Sequence, residues 1–95
     1  MAFKFPNQIW IKPRIIYERV YQDLIGDDHK TIGYCDDNTN HIYIKLGLDE
    51  EIELDTHTHE ILHAICHRYK IKLTHKELDK LSTALIKVAK LNGWL

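Results

Sequence analysis

The feature that most constrains the fold is a change of period near Gly47. Before it, apolar residues are β-branched or aromatic and come in short runs; after it they recur at helical spacing. Gln8-Ile9-Trp10-Ile11-Lys12 alternates weakly and is stopped by Pro13. Residues 15–21 form a second β-rich run in which Ile16 and Val20 can make an inward face, although a short helix would also suit them. Gly26-Asp27-Asp28 reads as a turn. Residues 31–35 and 41–46 then flank Asp36-Asp37-Asn38-Thr39-Asn40, and two alternating runs around a cluster of turn formers predict a hairpin.

Beyond Gly47 the pattern is helical. Asp49 stands at an N-cap position, with Glu50 and Glu51 at the positive end of the helix dipole, and the periodicity runs to about Tyr69. Residues 70–73 turn the chain. Thr74 and Glu77 form a T-x-x-E capping box that opens a last helix, which carries Leu78, Leu81, Leu85, Val88 and Ala89 at helical spacing and ends at Asn92-Gly93. The expectation is a single α+β domain over residues 1–95, a small antiparallel sheet followed by an αα-hairpin.

With 95 residues, the chain has room for one modest core. Its formal net charge of -1 and scattered lysines remove the electrostatic basis for nucleic-acid binding, so no nucleic acid is expected. Nothing approaches the ~20 apolar residues of a membrane span, and the start of the chain does not read as a signal peptide. Cys35 and Cys66 make no framework, which predicts reduced thiols and a cytoplasmic setting. Histidine is abundant. Of seven, His57, His59, His63, His67 and His75 fall in one short stretch, the first sign of metal chemistry.

His59-Glu60-Ile61-Leu62-His63 is an HExxH motif inside the longer helix. Residues four apart share a helix face, so His59 and His63 can offer two imidazoles to one Zn2+. Glu60 lies roughly 100° round the helix from His59; it is placed to act on a water as general base rather than as an equivalent ligand. Leu54, Ile61, Leu62, Ile65 and Tyr69 fall on one arc, so the histidines border the buried face, with Thr56 close to them. His57 points roughly 160° from His59 and is expected at the surface. His67 lies too far along the axis to share a tetrahedral ion with His59, and is expected to be solvated or a neighbour of the site. His29 and His41 stand in or beside turns without an identifiable partner.

A third protein ligand is expected, and His75, Glu77 and Asp79 are the candidates. In an antiparallel helix pair the neighbour of His63 lies about as far past the second helix start as His63 lies before the first helix end. Asp79 fits that count best. Glu77 has a competing role in the capping box, and His75 reaches the ion only if the first helix ends early.

The run Gly33-Tyr34, His41-Ile42-Tyr43-Ile44, Gly47-Leu48 and His59 to Ile65, with the tail Leu73-Thr74-His75, Leu78-Asp79, Leu81, Ala84-Leu85 and Asn92-Gly93-Trp94, resembles small phage- and prophage-encoded HExxH proteins. It also resembles the minimal zincin core, with similarity to the SprT-like and ImmA/IrrE-like groups. That resemblance implies a zinc-dependent peptidase fold with His59 and His63 as ligands and Glu60 as catalytic base. Gluzincin-like relatives would supply an acid from the following helix, where Asp79 or Glu77 stands. SprT-like relatives would supply a histidine, where His75 stands, but Lys76 occupies the place of the glycine usual after it.

The function expected is therefore hydrolysis of a peptide or protein substrate in the cytoplasm, of the host cell if the chain is phage-encoded. The alternative, from a different class, is a non-catalytic interaction module that zinc stabilises. Glu60 favours the enzyme, because a purely structural site has no need of that base.

Overall fold

A computed structural model describes residues 5–23 and 31–95. Four strands precede two helices: β1 (Gln8–Lys12), β2 (Ile15–Gln22), β3 (Gly33–Asp36), β4 (His41–Lys45), α1 (Glu50–Tyr69) and α2 (His75–Leu91). The fold is the α+β arrangement expected. The turn read at Gly26-Asp27-Asp28, and His29, lie outside the described residues.

Two antiparallel hairpins, β1–β2 and β3–β4, are joined through parallel pairing of β2 with β4, giving the order β1-β2-β4-β3. The sheet is thus mostly antiparallel with one parallel seam, and β3 is an edge strand. Pairing brings Arg19 beside Ile42 and Tyr21 beside Ile44. Side chains alternate across the sheet, so Tyr17, Ile42, Ile44 and Cys35 share the face that α1 covers, and Ala64 of α1 completes this core with Ile11.

Ile16 and Val20, expected inward, take the opposite face, because Tyr17 is the fully buried residue of β2. A buried tyrosine needs a partner for its hydroxyl. Tyr17 donates to Asp37 in the β3–β4 turn and accepts from Arg68 Nε of α1 at 3.0 Å. Burial and the Asp37 carboxylate push the Tyr17 phenol up to about 12. Arg68 Nη2 also donates to the Asp37 carbonyl at 2.8 Å, so the turn is tied to the end of α1.

Asp49 occupies the N-cap of α1 as expected but makes no side-chain cap bond, and the acidic first turn (Glu50, Glu51, Glu53) supplies the negative charge there instead. Lys70, in the left-handed conformation, closes α1. The Thr74–Glu77 capping box forms in full. Of the apolar stripe expected on α2, only Leu78 is buried; Leu81, Leu85 and Val88 stay exposed. Polar contacts hold the two helices together as well: Ser82 Oγ donates to Asp55 at 3.4 Å and Lys90 Nζ pairs with Glu51 at 2.6 Å. These partners run in opposite sequence directions, so the helices are antiparallel.

Candidate metal centre

The site is built where α1 crosses β3. Gly33 is the reason the crossing can be so close. A Cβ placed there would come within 2.5 Å of Thr56 Cγ2 and 3.1 Å of Glu60 Oε2, so only glycine lets the helix settle. Thr56 Oγ1 donates to the Ile52 carbonyl at 2.6 Å, which fixes its methyl toward Gly33. Glu60 is buried beneath the strand, 8% exposed. Burial first, then the Asp37 and Asp79 carboxylates, push its carboxyl up to about 7.

Asp79 reaches this site, and it arrives opposite His59 rather than His63. Its Oδ1 lies 2.9 Å from His59 Nδ1. The residue count had placed Asp79 one turn further along α1. The difference comes from residues 71–74, which are not helical and carry the chain back along α1 before α2 begins. For the same reason His75 reaches the site although α1 runs its full length to Tyr69. The His75 and His59 ring centroids are 5.1 Å apart, and His75 Nε2 lies 3.5 Å from Asp79 Oδ2. Glu77 is engaged in the capping box, its side chain accepting from Thr74 N–H at 2.8 Å, and those bonds hold its carboxyl below the usual range.

His59, His75 and Asp79 can each offer a donor atom within 4.8 Å of the others. Two nitrogen donors and a carboxylate suit zinc, and two donors sharing one tetrahedral zinc stand about 3.3 Å apart. The His59–Asp79 separation is already close to that, so the donor set fits the ion the motif implies. Burial lowers the pKa of His59, with Asp79 opposing, which favours the neutral ring that a metal requires. A cavity of about 380 Å³ opens over these groups, lined by Gly33, Thr56, His59, Glu60, His75 and Asp79 together with Thr31, Ile32 and Asp55.

His63 is exposed and its ring centroid stands 6.3 Å from that of His59. Among the described residues it groups instead with Cys35 and Asp37. Sequence reasoning did not single out those two. Their only signal is that the hairpin returns Cys35 and Asp37 beneath the second half of α1, a long-range pairing. His67, as expected, is at the surface, with Nδ1 3.6 Å from Asp37 Oδ2.

His57 is not at the surface. It is 2% exposed, stacked on Phe5 at 4.9 Å and edge-on to Tyr21. The swing away from His59 carries it against the segment before β1 and the end of β2, not into solvent. Its Nδ1–H donates to the Glu53 carbonyl at 2.8 Å, Nε2 is buried without a partner, and burial holds its pKa below the histidine norm. His41 opens β4 and stacks on Tyr43.

No helix among the described residues is long and apolar enough to cross a membrane. No protein-family model, curated protein or solved structure matches this chain, and its chemistry is therefore read from its own site.

Proposed function

We propose that this chain is a small zinc-dependent peptidase in which His59 and Asp79 hold the ion, with His75, which the fold groups with them, or His63 of the motif as third ligand, and Glu60 as the general base. The observation that carries the reading is a buried glutamate sharing one cavity with His59 and Asp79. When bound, zinc supplies Lewis-acid polarisation of a peptide carbonyl and lowers the pKa of water. Glu60 takes a proton from the attacking water on its carboxylate and returns it to the departing amine nitrogen. Burial raises this carboxyl in the metal-free chain, and a dication bound beside it would draw it back toward the ionised form that a general base needs. His75 stands beside the second oxygen of Asp79 and within 4.8 Å of the same donors, in position to complete the ligand set.

The edge strand favours a peptide as substrate. Lys45 N–H donates to the Ile32 carbonyl at 2.9 Å, and antiparallel alternation then turns the backbone groups of Gly33 and Cys35 away from β4. Among the described residues no strand pairs with that side. An extended peptide can add there as a further strand and bring a carbonyl to the cavity.

The test is cleavage of a peptide library by the zinc-loaded chain. Hydrolysis that a chelator abolishes and that His59→Ala lacks is expected. A fully loaded protein that cleaves no peptide would replace this reading with the zinc-stabilised interaction module.

A further inference from the structure

We propose that Cys35, Asp37 and His63 form a second cation site, one that takes soft divalent ions such as Zn2+, Cd2+ and Co2+ and competes with His59 for the His63 ring. The site goes beyond the peptidase reading; only its competition for His63 and the resulting inhibition rest on that reading. A sulfur, a carboxylate oxygen and an imidazole nitrogen lie within 4.8 Å of one another, and Cys35 Sγ stands 3.5 Å from Asp37 Oδ1. A tetrahedral ion bound at about 2.3 Å to sulfur and about 2.0–2.1 Å to nitrogen and oxygen spaces its donors by about 3.3–3.6 Å. The sulfur and the carboxylate already stand at that spacing.

Two of the three donors are preorganised by the fold. Cys35 is buried on the floor of the sheet and carries no disulfide. Asp37 receives the Tyr17 hydroxyl on its carboxylate, while Arg68 grips its carbonyl. His63, on the exposed side of α1, is the donor with freedom to move, and it already stands within 4.8 Å of the other two. A cavity of about 270 Å³, lined in part by Asp37, His63, Cys66 and His67, reaches the Asp37 and His63 side of the site, with the Cys35 thiol buried behind it. His67 is the nearest further donor, 3.6 Å from Asp37 Oδ2.

Donor chemistry sets the class of ion. A thiolate with an imidazole excludes magnesium and calcium, which require oxygen ligands, and selects zinc-like ions. Binding displaces the Cys35 thiol proton to solvent, so affinity rises with pH. One imidazole nitrogen serves one ion, so filling this site withdraws His63 from the HExxH pair and an excess of soft metal inhibits the peptidase.

The experiment is titration of the reduced, untagged chain with Co2+, followed in the near ultraviolet. A thiolate-to-cobalt charge-transfer band that grows beyond the first equivalent of Co2+ and then saturates is expected. It is lost in Cys35→Ser, kept in Cys66→Ser and in Asp79→Ala, and requires at least tenfold more Co2+ in His63→Ala, where an exposed side chain is removed and the fold is left intact. Cobalt that binds with ligand-field bands alone would overturn the site, as would a charge-transfer band that survives Cys35→Ser. Because the peptidase ligands are nitrogen and oxygen, chelator-sensitive hydrolysis without a thiolate band would sink this proposal and leave the peptidase standing.

Discussion

Glu60→Gln is expected to lose peptide hydrolysis by at least about a hundredfold, to keep its zinc, and to melt at a higher temperature than the metal-free wild type above neutral pH. The first two effects follow from its role as base rather than ligand. The third follows from where the carboxyl sits. Burial, with Asp37 and Asp79 near, raises its pKa from 4.5 to about 7. Between those values the folded chain keeps a proton that the unfolded chain releases, so stability falls as pH rises through the window. Above pH 7 the loss is complete, on the order of 3 kcal/mol for the metal-free protein. Glutamine fills the same space without the charge. Thermal unfolding of both chains in chelator, below and above the window, checks this: the gap should open only on the alkaline side. A glutamine variant that is less stable at every pH would mean Glu60 is held by favourable contacts and is no strained base.

Gly33→Ala is expected to destabilise the chain by about 1–3 kcal/mol and to cut hydrolysis at least tenfold even where it folds. The new methyl would lie 2.5 Å from Thr56 Cγ2, which is impossible without movement. Thr56 is β-branched and its hydroxyl is committed to the Ile52 carbonyl, so it cannot rotate freely. Either that bond breaks or α1 lifts from β3 and takes Glu60 with it. The origin is separable from a general glycine effect. Thr56→Ser removes the offending methyl and keeps the hydroxyl, so Gly33→Ala with Thr56→Ser should recover most of the stability in urea denaturation. No recovery would show that the strand backbone, not the crossing, resists the substitution.

Much of the frame was legible in the sequence because it is local. The Thr74–Glu77 capping box, the Asp36–Asn40 turn formers and the HExxH periodicity each act within a few residues, and each forms where it was read. What could not be read depends on pairing between distant segments. The parallel seam of β2 with β4 is invisible to alternation, which is the same in either direction. The inward face of β2 was misassigned because hydropathy favours Ile16 and Val20, whereas Tyr17 owes its burial to partners 20 and 51 residues away. The site followed the same division. His59, Glu60 and Asp79, read from spacing and a helix count, share one cavity, although Asp79 stands a turn from where the count put it; His63, read with them, groups instead with Cys35 and Asp37. Cys35 and Asp37 gave no local sign, since only the hairpin brings them beneath His63.

The central claim is that the HExxH helix and Asp79 hold one zinc in nitrogen and oxygen ligation. Its most direct test is the zinc content of the chain carrying both Cys35→Ser and Cys66→Ser, in which no thiolate can hold the ion, with and without His59→Ala. The account predicts one zinc per thiol-free chain after dialysis and none once His59 is also removed. Zinc that disappears with the two thiols alone, or that persists without His59, would contradict it.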